Sequence, residues 1–166
     1  NTLISYPFPG TSVPPWLAEG IAQFMYDGAD WDHWDTHRDM ILRDRAIHDN
    51  LLSLTEMNTF GKKGIGNEST YNAGFALSRY IAYKYGSNSL KKLMIELSHP
   101  FQYSIDKTIM NVLGISGDEL FNEFESTLKT RYKTLMKPID VNLLNGRILI
   151  DEGTTNIHPK WNPNGD

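Results

Sequence analysis

Apolar positions recur at helical spacing over most of the chain. Leu17, Ile21, Phe24 and Met25 stand at i, i+4, i+7 and i+8, and predict one face of a helix from Trp16 to a glycine stop at Gly28. An aromatic, acidic stretch, DWDHWDTHRD, leads into a second helix expected around residues 36–48. A third is expected from about Thr70 to Tyr85, stopped by Gly86. Ser89 then reads as the cap of LKKLMIELS, whose stripe is Leu90, Leu93, Met94 and Leu97. The short segment SIDKTIMNVLG aligns Ile105, Ile109, Val112 and Leu113 and closes on Gly114. Last comes a long helix, opened by a Ser116/Glu119 capping box and striped by Leu120, Phe121, Phe124, Leu128 and Leu135. Pro138 is its expected end. Ser53 and Glu56 show the same capping-box spacing earlier in the chain.

Two regions leave this pattern. Residues 1–15, with Pro7, Pro9, Gly10, Pro14 and Pro15, read as extended loop. After Pro138, VNLLNGRILIDEG sets Asn145-Gly146 between apolar runs, a hairpin signal. The expected fold is therefore mainly α, a helical body over residues 1–137 followed by a short β-like tail over 138–166.

Composition narrows the classes. With 166 residues, 40% hydrophobic, 22% charged and a net charge of −4, the chain is long enough for one ordinary globular domain. No basic stripe is present, so nucleic acid is not an expected partner. No apolar run approaches the roughly 18 residues of a membrane span. The absence of cysteine removes disulfides and thiolate metal sites but leaves histidine and carboxylate ligation open. The sequence starts at Asn1 without an initiator methionine or signal peptide and stops in a turn-rich string. Both ends are expected to be cuts through a longer protein.

On periodicity alone, Glu19 falls opposite Leu17, Ile21 and Phe24 and reads as a solvent-facing glutamate near a helix N-terminus. Tyr71 reads equally well as a core aromatic at a helix start. The surrounding strings add more. PPWLAEGIAQF resembles the Trp-x-x-Glu-Gly-x-Ala string of gluzincin zinc metallopeptidases, and TYNAGFALSRYIAYKYG resembles the Tyr-x-x-Gly-Phe-Ala helix of their aminopeptidase N-like branch. LLSLTEM, YGSNSLKKLM and VLGISGDELFNEFESTL resemble, in the same order, parts of the bacterial peptidase-MA-like group, so that the resemblance spans residues 14–133.

That resemblance implies the helical C-terminal lobe of a zincin-like peptidase acting on peptides or proteins. Glu19 would be the third zinc ligand and Tyr71 the hydroxyl that stabilises the tetrahedral oxyanion. A catalytic zinc takes three protein ligands and keeps a position for water, and a donor aimed at developing charge lowers the barrier. The chain departs from the family in one large respect. It contains no H-E-x-x-H, the motif that supplies two ligands and the general base. Its absence fits a motif carried upstream, in an N-terminal lobe outside this sequence, and fits as well a degenerate relative that has lost catalysis; the chain alone is expected to be inactive.

His33 and His37, in HWDTH, have helical ligand spacing, but Trp34 occupies the place of the base and the pair follows Glu19 rather than preceding it. They read as a polar surface segment. His48, His99 and His158 are isolated, Asn67 in NES matches a glycosylation sequon, and GKKGIG lacks the Lys-Ser/Thr close of a phosphate loop. At the other end, IHPKWNPNGD resembles the Pro-x-Trp-x-Pro-x-Gly repeat of TolB-like β-propeller blades, which implies a parent protein in the periplasm or outside the cell. Two other functions fit the same pattern: a catalytically inactive helical binding domain attached to a propeller, and a plain helical spacer.

Overall fold

Proline opens the first helix. Pro15 takes the first position of α1 (Pro15–Gly28), where its missing N–H costs nothing, and the Pro14 carbonyl accepts from the Leu17 and Ala18 amides, each at 3.0 Å. The computed structural model describes residues 13–28, 36–61, 67–100, 102, 104–148, 152, 160 and 164. Among the described residues five further helices follow: α2 (Thr36–Ile47), α3 (Glu68–Tyr85), α4 (Ser89–Leu97), α5 (Ile105–Leu113) and α6 (Gly117–Val141). A single 3-10 turn, Glu56–Asn58, precedes α3. The chain is mainly α-helical, and no strand occurs among the described residues. It divides into two compact units, Asn1–Leu135 and Met136–Asp166.

The core lies in the first unit. Trp16 and Leu17 of α1, Leu77 and Ile81 of α3, Leu93 of α4, Ile109 of α5, and Leu120 and Phe124 of α6 are all within 1% of complete burial. α3 is central. It buries Ala73, Phe75, Leu77 and Ile81 but also Ser69, Thr70, Asn72 and Ser78, so that most of its circumference is covered.

α1 and α3 cross at two glycines. A Cβ at Gly20 would collide with the carbonyl oxygen of Gly74 and sit 2.5 Å from Ser78 Oγ; one at Gly74 would collide with the Trp16 carbonyl oxygen and lie 3.0 Å from Trp16 Cα. The obstacles are mostly backbone atoms, which cannot rotate away. Glycine inside a helix costs roughly 0.5–1 kcal/mol relative to alanine. Here its missing side chain sets how closely the two helices approach.

Local chemistry bounds the other elements. Both expected capping boxes form. The Ser116 amide donates to Glu119 Oε2 at 2.8 Å while the Glu119 amide donates to Ser116 Oγ at 3.1 Å. Ser53 and Glu56 exchange the same pair at 2.9 and 3.3 Å. Ser104 caps α5 by accepting from the Lys107 amide, and Gly114 ends it in the left-handed conformation at φ 77°.

Four expectations are corrected. Ser89 is the first residue of α4 rather than its cap; its hydroxyl donates to the Tyr85 carbonyl at 2.6 Å, and Asn88 holds the cap position. On α6 the stripe continues from Leu128 to Tyr132, not to Leu135, which is 51% exposed. Tyr132 can be buried because its hydroxyl donates to Asp39 Oδ1 at 2.9 Å. α6 also runs past Pro138 to Val141. Proline removes one amide from a solvent-exposed last turn, and Asn142 Nδ2 then donates to the Pro138 carbonyl at 2.9 Å. Finally, residues 143–148 around the Asn145-Gly146 pair form no strand, so the β-like tail is absent from the described residues. The remaining propeller-like string falls largely outside them.

Substituting Gly74→Ala should destabilise the chain by about 2 kcal/mol, because overpacking of typically 1–3 kcal/mol outweighs the gain in helix propensity. Urea unfolding of the two proteins measures this. A neutral or stabilising result would mean that the helices do not cross in backbone contact.

Candidate active site

The glycine crossing also decides where two half-buried side chains meet. Glu19 immediately precedes Gly20 on α1, and Tyr71 lies one turn before Gly74 on α3. With the backbones in contact at the glycines, Glu19 comes within electrostatic reach of the Tyr71 phenol. Its carboxylate is one of the charges that raise the Tyr71 pKa above the ordinary value of 10. Loss of hydration is the larger cause, and Glu68, in the first turn of α3, adds to it.

Neither functional group is used by the fold. Among the described residues, the Glu19 carboxylate has no hydrogen bond or ion pair, and the Tyr71 hydroxyl has no hydrogen-bond partner. Glu19 is half-buried rather than solvent-facing, which corrects the expectation from periodicity. The tyrosine ring is held by stacking on Phe60, with centroids 5.8 Å apart and planes 21° from parallel. Phe60 was not singled out in the sequence. The signal for it, an aromatic residue just before a glycine-rich loop, is too common to be specific.

Other polar groups on α1 and α3 are also buried. Gln23, one turn after Glu19, buries its Oε1 without a partner, and so does Trp16 its Nε1. Asn72, beside Tyr71, is 1% exposed with both amide atoms unpaired. Such groups cost about 1–3 kcal/mol each when left without hydrogen bonds.

A zinc ion needs more than this chain's described residues bring together. No group of three or more histidine, aspartate and glutamate side chains converges among them. Glu19 by itself fits the role of one ligand, being a half-buried carboxylate on a helix with no competing partner. His37 is exposed on α2; His33 lies outside the described residues, as does the GKKGIG loop from residue 62 to residue 66.

The coupling can be tested directly. Glu19→Gln removes a negative charge and should lower the Tyr71 pKa, followed by carbon-13 NMR of labelled tyrosine through an alkaline titration. An unchanged midpoint would put the carboxylate beyond reach of the phenol. No family model, curated protein or solved structure matches this chain.

Proposed function

We propose that residues 1–137 are the helical lobe of a gluzincin-type zinc peptidase, with Glu19 as one metal ligand and Tyr71 as a hydrogen-bond donor to the substrate carbonyl. The observation that carries this reading is the meeting of two unused groups, an unpaired half-buried carboxylate and an unpaired half-buried phenol, across the α1–α3 crossing. The strings that resemble the family are the ones that contain this crossing. Trp16-x-x-Glu19-Gly20 supplies one side, and Tyr71-x-x-Gly74 the other.

In this reading the two histidine ligands and the general base come from polypeptide outside the 166 residues, since H-E-x-x-H does not occur within them. Zinc, when bound, supplies the Lewis acidity for peptide hydrolysis. Glu19 presents its carboxylate from a helix whose entry is fixed by Pro14 and Pro15. Tyr71 keeps its proton, because dehydration and two carboxylates disfavour phenolate. A protonated phenol can donate to a carbonyl oxygen, and that bond strengthens as negative charge develops there. The sign gives a pH dependence: Tyr71 remains a donor through and above its ordinary pKa of 10, and is lost only as pH rises through its raised value. The attached propeller and a periplasmic or extracellular setting belong to the same proposal.

The test uses the complete polypeptide that carries these residues. About one zinc per chain is expected with peptide hydrolysis, and Glu19→Gln should lose both. Tyr71→Phe should keep its zinc and lose roughly 10²–10³ in kcat, the size of effect seen when one oxyanion donor is removed. A wild-type protein that binds no zinc and cleaves no peptide would overturn the enzyme reading in favour of a helical binding domain.

A further inference from the structure

A cavity of about 470 Å³ opens between α3 and α6, and neither Glu19 nor Tyr71 lines it. Phe24 and Leu42 contribute from α1 and α2, Phe75 and Tyr83 from α3, and Phe124 and Leu128 from α6. The volume lies within the range of sites that hold small organic ligands. Most of the wall is aromatic or aliphatic, and Tyr83 stands 93% exposed on it.

Its charge is unusual for this chain. The protein carries −4 overall, yet the residues lining the cavity include two arginines, Arg79 and Arg131, and no aspartate or glutamate. The Arg79 guanidinium is held over the Phe75 ring at 5.5 Å and that of Arg131 over the Tyr132 ring at 5.6 Å, so aromatic faces keep both at the cavity wall. Among the described residues neither makes an ion pair with a carboxylate. The two acids that flank the lining residue Phe124 are already occupied: Glu123 accepts from Lys84 Nζ at 2.5 Å and from the Tyr85 hydroxyl at 2.9 Å, and Glu125 pairs with Lys129 at 3.4 Å.

We infer that this cavity binds a small apolar carboxylate, its hydrocarbon or aryl body against the partly exposed Phe24, Ala76 and Tyr80 and its carboxylate against Arg79 and Arg131. An apolar wall supplies affinity without charge preference. The planar guanidinium groups match a carboxylate in sign and in hydrogen-bond geometry. A neutral ligand of the same body would leave both donors as they are now, and an amine would be repelled. The site is independent of the zinc reading and stands or falls separately from it.

The test is titration of the full chain with phenylbutyrate, phenylbutanol and phenylbutylamine, followed by protein NMR. The acid should bind saturably at a single site, roughly tenfold tighter than the alcohol, with the amine weakest. Arg79→Gln combined with Arg131→Gln should reduce the acid to the level of the alcohol. Both side chains are exposed, and circular dichroism checks that the helices persist. If that variant loses helicity, Arg79→Lys with Arg131→Lys is read instead and should still prefer the acid. Equal binding of the three probes, acid binding unaffected by the double glutamine variant, or no saturable binding of the acid would each overturn the assignment.

Discussion

The contact between Gly20 and Gly74 is the constraint on which the rest of the first unit depends. Helix axes pack about 8–10 Å apart, and the side chains at the contact decide where in that range a pair falls. With no Cβ on either side, the α1 and α3 backbones touch, and every residue one turn away is fixed as a result. Trp16 is driven to complete burial against α3, and Ser78 is enclosed at the crossing. Close approach has a cost as well. Trp16 Nε1 and Ser78 Oγ are buried without hydrogen-bond partners, in an interface too tight to supply them.

Around that crossing the other helices act as braces rather than as determinants of the site. Tyr132 of α6 ties to Asp39 of α2, and Lys84 and Tyr85 at the end of α3 converge on Glu123 of α6. The Lys84–Glu123 pair is partly exposed and contributes modestly, as surface pairs do. The Tyr132 phenol is different. Burial and the Asp39 carboxylate push its pKa well above the usual tyrosine value, so it stays a neutral donor at any ordinary pH. It completes a core of otherwise apolar side chains by taking its one polar atom to an acceptor.

What could be read from the sequence follows the range of the interactions. Capping boxes at Ser53/Glu56 and Ser116/Glu119, the Gly114 stop and the apolar stripes are local, and each element appears close to its expected limits. The errors occur where a distant partner decides. Leu135 outranks Tyr132 on hydrophobicity, but only Tyr132 meets Asp39, which lies on another helix. Pro138 reads as a stop because a proline removes a helical hydrogen bond, a loss that an exposed final turn tolerates. Glu19 looked solvent-facing because its own helix places it opposite the core stripe; α3 covers that side. The two glycines were visible only as letters in two separate strings. Nothing in either string says that they touch.

The same geometry connects the Glu19–Tyr71 pair and the arginine-lined cavity through α3. Tyr71, Phe75 and Arg79 follow one another at i, i+4 and i+8, so one face of the helix passes from the candidate peptidase groups to the arginine-lined cavity within two turns. The electrostatics change along it. Glu19 and Glu68 surround Tyr71, whereas Arg79 and Arg131 line the cavity beyond Phe75. Phe24 reaches that cavity from α1 and Phe75 from α3, so its width is set by the same helix separation that brings Glu19 to Tyr71. A side chain added at either glycine would push α1 away from α3 and alter both places together. Substitutions on the far face of α6 would leave the spacing of Glu19 and Tyr71 unchanged.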